Sequence, residues 1–296
     1  MSTYKTEGII IKRSNFLESS LLLHIYTKNY GKVETVARSA RKAKGKLKGH
    51  LELFLDTELI LAYGRNIDTI TSSLTVESFS NLRNSLEISF GAYYVLELVD
   101  KMTIEEHKDE RIFYLLKNVL FFLDKMVLDE LSLQGVSQDN VANPKLSSLR
   151  IVKGLPRSLR LPRNDINILI LFFQINLLNL TGFSPELNKC IFCKKLIKSG
   201  KNYFSFSMGG IMGQECFFKN PDAVLIDDNK IKLLRLFQFK GGDVKEFNLH
   251  LKKSFQIIKK LKANKKLILN SVFLLNKFIE FNIERKIKGV DFLRGV

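Results

Sequence analysis

The chain of 296 residues contains no tryptophan, five prolines and only three cysteines. So few cysteines exclude the disulfide-stapled scaffolds typical of small secreted proteins. No apolar run reaches the roughly 20 residues that a bilayer crossing needs, because polar side chains interrupt the longest one, residues 166–180. The first residues also lack the apolar stretch of a signal peptide. These absences predict a cytoplasmic protein.

Acidic residues are scarce relative to basic ones. With 30 Asp and Glu against 47 Lys and Arg, the formal net charge is +17. An excess of this size attracts polyanions. Nucleic acid is therefore the first predicted class of partner, and an anionic membrane surface the second.

Catalytic motifs are also missing. The sequence has no G-x-S-x-G, no G-x-x-x-x-G-K-[ST] and no H-E-x-x-H, and Gly209-Gly210 does not follow a dinucleotide-binding fingerprint. Acid pairs such as Asp227-Asp228 adjoin turn or helix-start residues, where carboxylates favour the helix dipole. The sequence predicts a protein that is not an enzyme.

The first eighty residues have the composition of a small β domain. Residues 51–62 alternate between apolar and polar side chains with period two, and four shorter runs rich in β-formers surround them, at 8–12, 20–26, 32–37 and 67–76. Five strands in this length predict a small closed barrel such as the OB-fold. A five-stranded SH3-like barrel is the alternative.

After Phe79 the apolar period changes to 3.6, which indicates helices. The first predicted apolar face consists of Leu82, Leu86, Phe90, Tyr93 and Leu96, and the second of Ile112, Leu115, Val119, Phe122 and Met126. Residues 166–180 are apolar nearly all round and predict a central buried helix that ends at Gly182. Helices are expected again from about residue 229.

Basic residues concentrate between two predicted strands. Six cations lie in eleven residues with no acid among them: Arg38, Arg41, Lys42, Lys44, Lys46 and Lys48. Such a loop suits a phosphate backbone, although a solvated loop is the simpler alternative. Other acid-free basic stretches are 140–164, 187–214 and 252–266. The aromatic candidates for base stacking are Phe16, Tyr26, Tyr30 and Tyr63.

The three cysteines lie close together in sequence. Cys190-x-x-Cys193 can chelate Zn, and Cys216 follows in the same segment, but a structural site normally has four ligands. The fourth could be water, Glu215, Asp222 or a distant histidine. Alternatively, the site has decayed and aromatic packing holds the segment: Phe192, Phe204, Phe206 and Phe217.

The order of several motifs resembles the bacterial RecO recombination mediator family. These motifs are T-E-G-I-I-I-K-R-S-N-F at 6–16, Y-G-K-V at 30–33, T-G-F-S-P-E-L at 181–187, C-I-F-C at 190–193 and F-S-F-S-M-G-G at 204–210. The similarity continues through residues 278–293, so it covers nearly the whole chain.

This resemblance implies an α+β fold, with an N-terminal five-stranded OB-fold barrel followed by an all-α domain with a zinc-ribbon-like insertion. The expected boundaries are 1–80 for the barrel, 81–183 and 225–296 for the helical domain, and 184–224 for a degenerate zinc-ribbon-like module. Relatives with zinc carry a second C-x-x-C where this chain has Gly213 and Cys216. The implied ligands are Cys190, Cys193 and Cys216, with Zn bound weakly or not at all.

The implied function is DNA repair and homologous recombination. Proteins of this family bind single- and double-stranded DNA, anneal complementary strands, associate with RecR, and help to load RecA onto strands coated by single-strand-binding protein. No membrane and no small-molecule substrate is expected, and the location is the cytoplasm, at the nucleoid. The expected DNA-binding residues are the six cations of residues 38–48 together with Lys12 and Arg13. An RNA-binding OB-fold protein of translation or ribosome assembly is the competing hypothesis.

Overall fold

The N-terminal strands form a closed barrel. The computed structural model describes residues 2–41, 47–105, 107–133, 163–219, 222–261 and 263–295. The barrel strands are β1 (Thr3–Phe16), β2 (Ser20–Thr27), β3 (Gly31–Ala37), β4 (Asp56–Ala62) and β5 (Asp68–Glu77), paired in the order β1-β2-β3-β5-β4. Strand β3 runs parallel to β5, and β4 pairs with β1 and β5. This is the OB-fold arrangement, so that prediction is confirmed.

Strand β1 closes the barrel because it is long enough to pair with two neighbours. Its first half pairs with β4 and its second half with β2, with a register shift between Ile10 and Lys12. Gly8 lies in the stretch that pairs with both strands. A Cβ atom there would lie 2.7 Å from Ile25 Cγ2, so only glycine allows this close approach of β1 to β2.

The predicted strand at 51–62 begins only at Asp56. Residues Lys48–His50 form a 3₁₀ turn, and Phe54 has a left-handed backbone with φ of 72°. Leu51 and Leu55 are buried in the barrel core, whereas Phe54 packs against Tyr93 of the helical domain at 4.8 Å between ring centroids. The alternation over 51–55 therefore reflects a buried turn rather than a strand.

The helices form a second layer against the barrel and are α1 (Leu86–Met102), α2 (Glu110–Leu133), α3 (Arg163–Leu180), α4 (Asp228–Phe237), α5 (Val244–Lys260), α6 (Lys265–Ile283) and α7 (Val290–Gly295). Helix α3 contacts α1, α2, α4, α5 and α6, and its apolar side chains from Ile168 to Leu178 are wholly buried. The prediction of a central buried helix is confirmed. Within the described residues, no helix is long and apolar enough to span a membrane.

Buried polar side chains in α3 have partners in neighbouring helices. Gln174 donates to the hydroxyl of Tyr94 at 2.6 Å, and Asn176 donates to the carbonyl oxygen of Phe237 at 3.0 Å. At the C-terminal end, Gly182 has φ of +86°, and the N–H of Phe183 donates to the carbonyl of Leu178 at 2.8 Å. This is the glycine stop that the sequence predicts.

The predicted apolar face of α1 is confirmed only in part, because Leu96 is buried and Leu82 is buried just before the helix begins. Leu86 is 68% exposed and Tyr93 47% exposed. The buried side chains of α1 are those of Ile88, Ala92, Tyr94, Val95, Leu96, Leu98, Val99 and Met102. Apolar side chains lie on more than one side of this helix, so their spacing alone does not decide which side meets α3. On α2 the predicted face is confirmed, since Ile112, Leu115 and Val119 are buried.

A small three-stranded sheet interrupts the helices. It consists of β6 (Asn202–Ser205), β7 (Gly210–Gly213) and β8 (Val224–Ile226), with β6 in the centre. We call residues 184–226 the ribbon module. The domain boundaries expected from the sequence stay a prediction.

Polar contacts join the barrel to the helices. Asp100, near the end of α1, accepts from His24 at 2.6 Å and lies 3.2 Å from the Nζ of Lys12, while the Nζ of Lys32 donates to its carbonyl oxygen at 2.8 Å. Burial raises the pKa of Asp100, but the hydrogen bond from His24 and the charge of Lys12 outweigh it and lower the pKa to about 2.

A second ion-pair group lies at the start of β4. Lys117 of α2 contacts Glu7 at 2.7 Å and the fully buried Asp56 at 2.6 Å. Burial raises the pKa of Asp56, with Glu7 adding to the effect and Lys117 opposing it. Lys117 thus fixes α2 against two neighbouring strands of the barrel.

We predict that Leu171→Ala lowers the free energy of unfolding by about 2 to 5 kcal/mol, because the substitution leaves a cavity at the centre of α3. Leu86→Ala is the matched control, and it should cost under about 1 kcal/mol, as is usual for an exposed position. Urea denaturation measures both. A cost for Leu171→Ala no larger than that of the control would show that α3 is not the centre of the core.

We predict that Asp100→Asn lowers the free energy of unfolding at pH 7 by about 2 kcal/mol, since one pKa unit is equivalent to about 1.4 kcal/mol. The folded pKa of Asp100 lies below that of the unfolded chain. Its contribution is therefore present above about pH 4 and lost as the pH falls from about 4 to 2. Urea denaturation from pH 7 to 3 should show a weaker pH dependence for the variant. An unchanged pH dependence would contradict this role.

Candidate nucleic-acid interface and cysteine cluster

The helices cover the centre of the barrel face that OB-folds commonly use. That face lies on strands β2 and β3, and the loops β1–β2 and β4–β5 flank it. Here His24 of β2 and Lys32 of β3 pack against Asp100 of α1. A long nucleic acid can therefore contact the barrel mainly through its loops.

The basic loop begins beside the β1–β2 loop. The backbone N–H of Arg41 donates to the carbonyl oxygen of Ser19 at 3.0 Å, which joins the two loops. Leu17, in the β1–β2 loop, is 76% exposed. The start of the basic loop therefore lies at an open end of the barrel, where a polyanion has access.

Two of the six predicted loop cations have described side chains. Arg38 and Arg41 are exposed, and neither forms an ion pair with a carboxylate of the described part of the chain. Lys42, Lys44 and Lys46 lie outside the described residues. Lys48 opens the 3₁₀ turn, where only the backbone is described. A phosphate-binding role for this loop stays a prediction.

Lys12 and Arg13 have carboxylate partners. Lys12 contacts Asp100, and the Nη1 of Arg13 donates to Glu52 at 3.3 Å. Their DNA-binding role also stays a prediction, and any phosphate would compete with these carboxylates. Lys12 contributes to the joint between barrel and helices in any case.

Three tyrosines form an exposed cluster on the barrel. Tyr4 lies between Tyr30 and Tyr63, with ring centroids 4.5 and 4.7 Å away, and both outer rings are exposed. Burial and the hydrogen bond that Tyr4 donates to Asp68 at 2.6 Å raise the pKa of Tyr4, so its hydroxyl stays neutral. Exposed aromatic rings can stack with bases.

The sequence did not single out Tyr4, because it lies far from Tyr30 and Tyr63 in the chain. Tyr26, one of the predicted stacking residues, is fully buried, and its hydroxyl donates to the carbonyl oxygen of Asp109 at 3.0 Å. A stacking role for Tyr26 is therefore wrong.

The ribbon module brings the three cysteines together. The Sγ atoms of Cys190, Cys193 and Cys216 all lie within 4.8 Å of one another. Cys190 donates its N–H to the carbonyl oxygen of Lys195 at 2.8 Å, and Cys216 donates to that of Gly213 at 2.9 Å. Each cysteine segment thus forms a tight turn that points sulfur into a shared site.

The surroundings of Cys190 and Cys216 shift the pKa values of the two thiols in opposite directions. Burial raises the pKa of Cys190, but hydrogen bonds from the backbone of Cys193, Gly213 and Phe192 outweigh it and lower the pKa to about 7. Burial and the neighbouring sulfur atoms raise the pKa of Cys216 to about 11. A cation among the sulfurs would favour the thiolate form of all three, since metal binding releases thiol protons.

Three thiolates at this spacing suit Zn, and a bound Zn would tie the two turns together as a structural link. A Cβ atom at Gly213 would meet no other atom within 4 Å, so a side chain that ligates metal has space at this position. Asp222 accepts hydrogen bonds from Ser205 and Ser207 instead. Glu215 lines the pocket beside the thiols. In the described chain, no histidine belongs to this cluster.

The fold and the cysteine cluster define an OB-barrel protein whose helical domain carries a zinc-ribbon-like module. Two family models match the chain: "Recombination protein O N terminal" over residues 1–79 and "Recombination protein O C terminal" over residues 155–289. The chain belongs to the RecO family.

Curated relatives agree with this assignment. A protein of Dehalococcoides mccartyi named DNA repair protein RecO is 31% identical over 291 residues, which are 98% of this chain and 94% of the relative. Proteins of the same name in Roseiflexus sp. and Listeria monocytogenes are 32% and 27% identical over 235 and 233 residues. These matches cover 79% of this chain in both cases, and 70% and 76% of the relatives. The family resemblance of the sequence motifs is confirmed, and membership supports a role in DNA repair and recombination.

We predict that the protein purified without added Zn contains well under one equivalent, because three ligands from the described residues converge in the cluster, one fewer than a structural Zn site normally has. Gly213→Cys should restore tight binding of about one equivalent, since four thiolates complete a tetrahedral site. Elemental analysis and competition with a chelator measure both values.

Gly49→Cys is the matched control, since a Cβ atom there also meets no atom within 4 Å. This control adds a thiol away from the cluster and should leave the Zn content unchanged. Stoichiometric Zn in the unmodified protein would contradict the prediction and direct attention to Glu215.

Proposed function

We propose that this protein is a non-enzymatic mediator of DNA repair and homologous recombination. It binds single- and double-stranded DNA, anneals complementary strands and, with RecR, promotes RecA loading onto strands coated by single-strand-binding protein. Its site of action is the cytoplasm, at the nucleoid. The single observation that carries the proposal is the pair of exposed cations Arg38 and Arg41, which have no ion-pair partner among the described residues and lie beside the β1–β2 loop of an OB barrel in a chain of the RecO family.

Contacts with the phosphate backbone of DNA account for binding that has no sequence preference. Arg38 and Arg41 can meet phosphate oxygens, which position a nucleic acid but carry no base information. The tyrosine cluster of Tyr4, Tyr30 and Tyr63 offers rings to unpaired bases, which supports the single-strand mode. These two surfaces make no use of base edges.

Annealing follows from the same electrostatics and needs no reaction chemistry. Two complementary strands repel each other through their phosphates, and bound Lys and Arg side chains lower that repulsion by replacing counterions. The proposed partners RecR, RecA and single-strand-binding protein are inferred from membership of the family. The RNA-binding hypothesis shares the barrel and the charge, but no observation favours it over the family assignment.

We predict that binding to a short single strand falls with salt at a slope of log K against log[salt] of about −4, if all six loop cations meet phosphates. Changing Arg38, Arg41 and Lys44 to Gln should roughly halve the slope. Fluorescence anisotropy over a salt series measures it, and annealing of complementary oligonucleotides with and without single-strand-binding protein tests the wider proposal.

The control for this experiment changes Lys240, Lys245 and Lys277 to Gln. These lysines are exposed and lie outside the barrel and the ribbon module, and their replacement removes the same charge. The control should keep the wild-type slope. A loop variant that also keeps the full slope would place the DNA site elsewhere, with the basic stretch 252–266 as the next surface to test.

A further inference from the structure

The ribbon module carries cations that no described carboxylate pairs with. They are Lys189, Lys194, Lys195, Lys198 and Lys201, all exposed and drawn from the acid-free stretch 187–214. None takes part in an ion pair found in the described ranges of the chain. Elsewhere, Lys12, Lys28 and Lys117 contact acids. The module therefore has local positive charge available for an outside partner.

Backbone hydrogen bonds hold these lysines in place. Besides the bond from Cys190 to Lys195, the N–H of Ile197 donates to the carbonyl oxygen of Asn188 at 2.9 Å. Lys189 and Leu196 form an isolated antiparallel bridge. The Nζ of Lys194 donates to the carbonyl oxygen of Ile191 at 2.9 Å, whereas the other four lysines are exposed on a main chain that these bonds hold in place. Binding of an anion would therefore require little ordering of the main chain.

Three of the lysines surround a pocket of about 270 Å³. Lys195, Lys198 and Lys201 line it together with Glu215, and the three cysteines of the cluster lie on the wall of the same pocket. Three cations outnumber the one carboxylate, so the pocket carries net positive charge when the cysteines are protonated. Lysine binds phosphate as a point charge, so the pocket favours a phosphate group.

An aromatic pair lies in the same module. Phe217 directly follows Cys216, and its ring stacks on Tyr203 with 4.4 Å between centroids and 14° between planes. Phe217 is 39% exposed. A positive pocket combined with an exposed ring is the combination by which proteins hold single-stranded nucleic acid.

The helical domain, rather than the basic loop, supports this surface. Arg235 of α4 donates to the carbonyl oxygen of Leu187 at 2.9 Å, and Phe204 packs edge-on against Phe278 of α6 at 5.2 Å. The barrel meets the helices elsewhere, through Asp100 and Lys117. The two basic surfaces therefore belong to different parts of one molecule.

We propose that the ribbon module is a second binding site for single-stranded DNA, with phosphate in the pocket of Lys195, Lys198 and Lys201 and a base on Phe217. One molecule then holds two strands, one on the basic loop of the barrel and one on the module. This inference rests on the proposed function and deepens it, because annealing needs two strands brought together.

The test compares the full-length wild type with a ribbon variant in which Lys195, Lys198 and Lys201 are changed to Gln. The control is again the Lys240, Lys245 and Lys277 variant, which has the same net charge. In titrations with a short oligothymidine, wild type and control should bind two equivalents and the ribbon variant one. In the wild type and the control, the weaker binding step should have a salt slope of about −2, at about 0.7 for each of the three lysine contacts, and the ribbon variant should lack this step.

Photo-crosslinking gives a second measurement, which can be made on the wild type and compared with the ribbon variant. An oligothymidine carrying 4-thiothymidine should crosslink to wild-type peptides from residues 187–218, and the Lys to Gln changes should remove those crosslinks. Two equivalents bound by the ribbon variant, or wild-type crosslinks confined to the barrel, would overturn the second site and leave the barrel site standing. A wild type that binds no single strand at all would overturn both proposals.

Discussion

The joint between the barrel and helix α1 is the contact on which the arrangement of the binding surfaces depends. Asp100 accepts from His24, lies beside Lys12 and offers its carbonyl oxygen to Lys32. These contacts satisfy a largely buried carboxylate, which would otherwise be costly to bury. They also cover the centre of the β2–β3 face. The loops become the accessible part of the barrel, and the exposed Arg38 and Arg41 lie where one of these loops begins.

Charge is divided between two uses in this molecule. Cations near the joint, such as Lys12 and Lys117, are paired with carboxylates and hold the domains together. Arg38, Arg41 and the lysines of the ribbon module lie outside these pairs and remain available to a polyanion. A net charge of +17 does not show which cations are paired and which are free. The contacts of each cation in the folded protein show this.

The ribbon module is held together by contacts that involve no metal ion. Its turns are held by backbone hydrogen bonds around Cys190 and Cys216, and its sheet is anchored by Phe204 against Phe278. These contacts need no cation. A Cβ atom at Gly213 would meet no other atom within 4 Å, so a fourth thiol has space at this position.

The sequence alone determined the five barrel strands, the central helix α3, the cysteine cluster and the family, because local periodicity and ordered motifs report them directly. It did not determine where β4 begins, which side of α1 is buried, or that Tyr4 joins Tyr30 and Tyr63. It also did not show that Lys12 pairs with Asp100 or that Tyr26 is buried. These features depend on contacts between residues far apart in the chain. Periodicity records which side chains are apolar or charged, whereas tertiary packing decides which partner each of them meets.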